Sequence, residues 1–173
     1  MMNLGWLVIV INASWVRAMP CPAGQKQLND FCYQLLNETM TWEEANQACS
    51  DMGGGLAVPD SLEEHQFIWK MFTGSVREGN VWTGCTDKEE EGKYVYSGQQ
   101  CHYLEWAPSE PYDGENQDCI VLWRKHQGLM DDDGCNLSCF VICESPAVLF
   151  ESPVMFCMQA NPEGRFVGLR PLA

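Results

Sequence analysis

The groups best suited to bind a ligand form a run of carboxylates in the second half of the chain. No Lys or Arg occurs from Tyr94 to Trp123, so the acidic side chains there have no basic neighbours in the sequence. A divalent cation that prefers oxygen ligands, such as Ca²⁺, would relieve their mutual repulsion. The alternative interpretation is a solvated acidic loop that holds no ion. The acids are Glu105, Glu110, Asp113, Glu115 and Asp118.

Catalysis is not indicated. The chain contains neither G-x-S-x-G nor H-E-x-x-H, two motifs that place a nucleophile or a metal beside a base. Glu110 and Asp132 could pair for glycoside cleavage, but carboxylates that share a cation stay ionised, whereas an acid catalyst needs a raised pKa. The sequence therefore favours a binding protein over an enzyme.

The composition excludes several partners. The chain has 173 residues and a formal net charge of −14, which repels nucleic acid and anionic membrane surfaces. Its hydrophobic fraction of 46% is enough for a core, and its length suits one domain.

The N-terminus is typical of a secretory leader. The apolar run Leu4–Ile11 has the length of a signal-peptide core and is too short to span a bilayer. We expect residues 1–18 to be removed after Ala18 and the protein to be secreted. A buried core segment is the alternative, and no later segment reaches transmembrane length.

Ten cysteines, all at or after Cys21, predict a disulfide framework in an exported chain of this size. Zinc is disfavoured because there is no C-x-x-C and the three histidines are isolated. Two N-glycosylation sequons lie in the mature chain. Asn37 is the better acceptor, since Asn136 sits between two cysteines.

The elements that must position the acids are two early helices and later strands. Thr41-Trp-Glu-Glu44 and Ser61-Leu-Glu-Glu64 are capping boxes, each followed by apolar residues at helical spacing. The polar connection from Gly98 to Asp118 is long enough to indicate a functional loop. Residues 146–173 read as a proline-interrupted tail, or as the start of a further module. The expected strands are Val81 to Cys85, Lys93 to Ser97, Cys119 to Trp123 and Cys139 to Cys143.

Several motifs from Cys21 to Glu144 together resemble a C-type lectin-like domain. They include Thr41-Trp42-x-x-Ala45-x-x-x-Cys49, Trp82-x-Gly84 and Phe140-Val-Ile-Cys143-Glu144. The resemblance implies an α+β fold over about residues 19–145, with two short helices flanking antiparallel sheets and a long calcium- and ligand-binding loop.

The same resemblance implies three disulfides, which are Cys21–Cys32, Cys49–Cys143 and Cys119–Cys135. Of the four remaining cysteines, Cys85 and Cys101 flank successive strand-like runs, so we expect them to pair. Cys139 and Cys157 then remain as the fifth pair.

Sugar-binding members of the family hold a calcium ion that coordinates two sugar hydroxyls directly. The matching primary positions here are Glu110, Tyr112, Gln117, Asp131 and Asp132. Tyr112 stands where the family has an amide or carboxylate, and a protonated phenol is a poor calcium ligand. The auxiliary calcium positions match Asp87, Glu91, Asp113 and Asp118.

We therefore expect a secreted carbohydrate- or glycoconjugate-binding protein that uses Ca²⁺ through a degenerate Glu-Pro-Tyr site. The alternative is a lectin-like module that recognises an extracellular protein or a lipid surface without calcium-mediated sugar coordination.

Overall fold

The structure is a computed structural model that describes residues 21–112 and 116–147 in full. It also describes the backbone of four strands outside these ranges. Asp113 and Glu115, and the side chain of Cys157, lie outside the described residues. The elements are β1 Val16–Ala18, β2 Lys26–Leu28, β3 Phe31–Met40, α1 Trp42–Asp51, β4 Gly55–Leu56, α2 Leu62–Thr73, β5 Val81–Thr86, β6 Val95–Tyr96, β7 Gln99–Gln100, β8 Cys119–Leu122, β9 Met130–Asp133, β10 Cys139–Pro146, β11 Leu149–Glu151, β12 Phe156–Ala160 and β13 Phe166–Pro171, with a 3-10 turn at Arg124–His126.

Both predicted helices form at their capping residues. At α1 the box is complete, because the Thr41 hydroxyl accepts from the Glu44 N–H and the Glu44 carboxylate accepts from the Thr41 N–H. At α2 the Ser61 hydroxyl accepts from the Glu64 N–H, but Glu64 does not return the bond to Ser61. Its carboxylate accepts instead from the Asp60 N–H and the buried Tyr33 hydroxyl, so only half of the second predicted box is present.

The predicted α+β class is confirmed, with a sheet that is mixed rather than purely antiparallel. Within the fully described residues the strands follow the path β2-β3-β10-β5-β6-β7. β10 pairs antiparallel with β3 and parallel with β5, and β8 joins β5 to β9. The sheet is therefore not confined to the second half of the chain, because β3 is the main partner of β10. Of the predicted strand from Lys93 to Ser97, only Val95–Tyr96 forms.

Tryptophans anchor the core on which the site is built. Trp82 is fully buried and donates its indole N–H to the Met40 carbonyl at 2.8 Å. Trp42 donates to the Thr83 carbonyl at 2.9 Å, which joins α1 to β5. Trp106 packs against Tyr94 with ring centroids 5.0 Å apart. These contacts fix the position of the long loop relative to the sheet.

Four predicted disulfides are present, and the fifth is not. The bridges are Cys21–Cys32, Cys49–Cys143, Cys85–Cys101 and Cys119–Cys135. Cys139 is instead a free thiol, so the predicted Cys139–Cys157 bridge is wrong for this structure. Cys139 is 5% exposed and packs in the core cluster with Trp42 and Trp82, whereas the side chain of Cys157 lies outside the described residues.

The chain divides into two compact units. One is Pro20–Ala147; it ends two residues beyond the expected boundary at 145, and the Ala147 N–H donates to the Asp30 carbonyl at 2.7 Å. In the other, β1 pairs antiparallel with β11, and β12 with β13. Neither helix in the described part of the chain has the length and apolarity needed to cross a membrane.

Candidate functional site

Three of the predicted site residues meet at one point. One carboxylate oxygen from each of Glu110, Asp131 and Asp132 lies within 4.8 Å of the other two. We call these three residues the carboxylate cluster. Asp131 and Asp132 are consecutive residues of β9, whereas Glu110 belongs to the long loop. The fold therefore brings together acids that are about 20 positions apart in sequence.

Backbone hydrogen bonds hold the loop against β9. The Met130 N–H donates to the Glu105 carbonyl at 2.7 Å, and the Ala107 N–H donates to the Met130 carbonyl at 2.7 Å. Trp106 and Met130 also form an isolated β-bridge. The Glu110 N–H donates back to Ala107 at 3.0 Å, which closes the turn that carries the Glu110 side chain. The first acid of the cluster is thus placed by main-chain pairing to the strand that carries the other two.

Asp132 is the most deeply buried member of the cluster, with no exposed surface. Its Oδ1 accepts from the Tyr112 backbone N–H at 2.9 Å, and its carbonyl accepts from Nε2 of Gln117 at 2.9 Å. Its Oδ2 is buried and has no hydrogen-bond partner among residues 21–112 and 116–147. A buried carboxylate oxygen without a partner is costly, and a bound cation would satisfy it. The residues present therefore fit a hard cation, with Oε1 of Gln117 as a further oxygen.

The electrostatics of the cluster point the same way. Burial, reinforced by the charges of Glu110, Asp133 and Asp132, raises the pKa of Asp131 to about 7. Burial also raises the pKa of Asp132, with Glu110 and Asp87 adding to the effect. Both shifts belong to the cation-free protein, in which close carboxylates repel one another. A divalent cation would hold all three carboxylates ionised.

Tyr112 leaves a gap in the ligand set. Its backbone N–H is used by Asp132, but its side chain is 63% exposed. A neutral phenol offers neither the carbonyl oxygen nor the N–H donors of an amide. The cluster thus has the carboxylates expected of a calcium site and lacks one amide ligand.

The structure does not bring the auxiliary residues together in the same way. Among residues 21–112 and 116–147 the carboxylate cluster is the only group of three His, Cys, Asp or Glu side chains whose ligand atoms lie close enough to share an ion. Asp87, Glu91 and Asp118 do not form such a group. Oδ2 of Asp87 accepts from the Gly92 N–H at 2.8 Å, so it stabilises its own turn. The Asp87 N–H donates to the Asp118 carbonyl at 3.2 Å, which joins the two segments through their backbones. Asp113 lies outside the described residues, and the auxiliary site stays a prediction.

Sequence reasoning missed a cavity lined by the two chain segments that carry the cluster. It measures about 490 Å³ and is lined by Pro108, Lys125, His126, Gln127 and Leu129. Three consecutive basic residues, Arg124-Lys125-His126, were the available signal in so acidic a chain.

Asn37, the predicted glycosylation site, is exposed within β3. It lies at a register shift, because Leu36 pairs with Val141 and Thr39 with Phe140, which leaves two residues between them unpaired. The side chain is therefore accessible, and its modification remains a prediction.

Comparisons with known proteins identify the family of this domain. A family model described as "Lectin C-type domain" matches residues 38–145. Lectin BRA-3 of Megabalanus rosa is 30% identical over 148 residues, which cover 82% of this chain and 89% of that protein.

Two solved structures are similar to this chain in sequence and in fold. The mouse scavenger receptor C-type lectin carbohydrate-recognition domain is 30% identical with a TM-score of 0.65, over 74% of this chain and 98% of that one. A calcium-independent type II antifreeze protein is 29% identical with a TM-score of 0.68, over 76% and 98%.

Proposed function

This chain belongs to the C-type lectin domain family, and from that premise we propose that it binds carbohydrate with the help of calcium. The ion would be held by Glu110, Asp131 and Asp132, with Oε1 of Gln117 as a fourth ligand. When bound, calcium offers open coordination positions to two neighbouring hydroxyls of a sugar. The protein's own residues hold the ion at the end of β9 and orient the loop above it.

The observation that carries this proposal is the buried Oδ2 of Asp132. Within the described part of the chain this oxygen has no hydrogen-bond partner, and it lies in a cluster with two further carboxylates. A fold that needed no ion would be more stable with an apolar or amide side chain there, because an unsatisfied buried oxygen costs about 1–3 kcal/mol. The arrangement is explained when the oxygen coordinates a cation.

We expect the affinity for calcium to be low. Tyr112 replaces one ligand, and an exposed ring that stacks on a sugar contributes only about 0.5–1.5 kcal/mol, by analogy with aromatic pairs. That contribution does not replace a coordination bond.

The proposal is tested by calorimetric titration of chelator-treated protein with CaCl₂, followed by a glycan array with and without chelator. Glu110→Gln should weaken calcium binding at least tenfold. Glu105→Gln is the matched control, because Glu105 is an exposed carboxylate of the same loop outside the cluster. Absence of heat from calcium, together with array binding that ignores chelator, would contradict calcium dependence.

A second candidate function is recognition of an extracellular protein or a lipid surface without calcium. The exposed Tyr112 favours it, because a large ring beside the predicted site suits protein contacts. The similar antifreeze protein described as calcium-independent shows that this fold can work without the ion. A pull-down from extracellular fluid that survives chelator and is lost in Tyr112→Ala would support this function over sugar binding.

Export belongs to the same proposal. Four disulfides are consistent with an oxidising compartment. Mass spectrometry of protein from culture medium should find Met19 as the first residue and glycan on Asn37. Protein that stays in the cell with residues 1–18 attached would contradict it.

A further inference from the structure

We propose that the cavity lined by Lys125 and His126 is a subsite for the negatively charged group of an acidic saccharide. This inference rests on the calcium-dependent sugar binding proposed above and specifies the class of sugar. The shared chemistry is an anionic substituent, either carboxylate or sulfate, on a hexose whose hydroxyls approach the carboxylate cluster.

Both chain segments that carry the cluster also contribute a residue to the lining of the cavity. Pro108 lies two residues before Glu110, and Leu129 lies two residues before Asp131. Lys125 is close enough for its charge to lower the pKa of Asp131, against the stronger opposing effects there. At about 490 Å³ the cavity is within the range of about 300–1,000 Å³ typical of small-molecule sites. One saccharide could therefore reach both places.

The three basic residues of this turn have different roles. Arg124 is committed to the fold, because its guanidinium donates to the carbonyls of Val76 and Gly79. Lys125 is exposed, and no carboxylate among residues 21–112 and 116–147 forms an ion pair with it. Its ammonium lies 4.7 Å from the Trp123 ring centroid, and the His126 ring contacts the same indole at 4.4 Å. The Trp123 indole thus contacts both side chains that line the cavity from this turn.

The local charge is opposite to that of the molecule. In a chain with a net charge of −14, an uncommitted lysine next to a histidine attracts an anion only at short range. A long polyanion would be repelled by the rest of the surface. The site therefore suits a short acidic saccharide better than a sulfated polymer.

The experiment measures binding to the full-length protein in calcium by NMR titration with matched sugars. The probes are methyl glucoside, galactoside and mannoside, their hexuronides, and their 6-sulfates. For at least one hexose the acidic form should bind about three- to tenfold more tightly than the neutral one. The double variant Lys125→Gln, His126→Gln should lose this preference and keep its affinity for the neutral sugar. Lys26→Gln, which removes an exposed lysine on β2, should behave as wild type.

The outcomes separate the two proposals. Calcium-dependent binding of the neutral sugar with no preference for either acidic form, or a preference that survives the double variant, overturns the subsite and leaves the proposed function standing. Binding of an acidic sugar that needs Lys125 and His126 but not calcium supports the subsite and contradicts the proposed function. Failure of every sugar to bind overturns both. A preference confined to hexuronides or to 6-sulfates identifies the anionic group.

Discussion

Substitution of Asp131 by Asn should change stability in opposite directions with and without calcium. In the cation-free protein, burial and neighbouring carboxylates raise the pKa of Asp131 from 3.8 to about 7. The folded protein then retains a proton that the unfolded chain has released, so stability falls as the pH rises from about 4 to about 7. An amide at this position removes that cost, because it is never charged.

The magnitude follows from the size of the rise in pKa. If nothing screened the charge of Asp131, the rise in its pKa would correspond to a loss of about 4 kcal/mol in the free energy of unfolding. Solvent and the charge of Lys125 reduce this electrostatic cost. We therefore expect Asp131→Asn to stabilise the calcium-free protein by about 1–2 kcal/mol at pH 8. At pH 5 the gain should be less than half as large. In calcium at about 100 times its Kd, wild type gains about 2.7 kcal/mol that the variant largely loses, so the order reverses.

Thermal unfolding followed by circular dichroism, at pH 5 and pH 8 with chelator or CaCl₂, measures all four conditions. A stabilisation of about 1 kcal/mol corresponds to about 3 °C in Tm for a chain of this size. Equal effects of Asp131→Asn at both pH values in chelator would refute the electrostatic reasoning. An unchanged difference between variant and wild type on adding calcium would refute the metal site.

Three variants and one labelling experiment provide further tests. Tyr112→Asn with Gln117→Glu should tighten calcium at least tenfold in calorimetry, and no change would show that these positions do not face the ion. Burial raises the pKa of Glu144 to about 8, so stability should fall as pH rises from about 4.5 to 8. Glu144→Gln should therefore raise Tm at pH 9 more than at pH 5, and an equal shift would contradict this. Burial raises the pKa of the Cys139 thiol to about 12, so N-ethylmaleimide should label it only after unfolding; a Cys139–Cys157 peptide in a non-reducing digest would contradict a free thiol. Gly128 has a φ of +93° and an added Cβ would lie 2.5 Å from the Trp69 ring, so Gly128→Ala should cost about 2 kcal/mol or more in urea unfolding, and a loss below about 0.5 kcal/mol would be inconsistent with that contact.

The elements with local signals could be predicted from the sequence. Thr41 and Ser61 mark the starts of both helices, because a capping side chain acts within one turn. β9 could not be predicted from composition, since Met-Asp-Asp-Asp has low strand propensity and forms only by pairing with β8. β3 was missed for a related reason: its alternation is irregular, and its pairing with β10 spans about a hundred residues.

The candidate site likewise has features that the sequence predicts and features that depend on the folded structure. The carboxylates were identified through the family resemblance, but the complete burial of Asp132 depends on the strands around it. The free thiol of Cys139 could not be predicted, because an even number of cysteines does not show which of them pair. The cavity beside Lys125 depends on the long loop lying next to the β8–β9 turn, which no local pattern encodes.

The most direct test of calcium binding is a crystal structure of the protein grown in CaCl₂. We expect an ion at about 2.3–2.6 Å from carboxylate oxygens of Glu110, Asp131 and Asp132, with Oδ2 of Asp132 among its ligands. An empty cluster in crystals that hold calcium elsewhere, or an ion bound without Asp132, would contradict the proposed site.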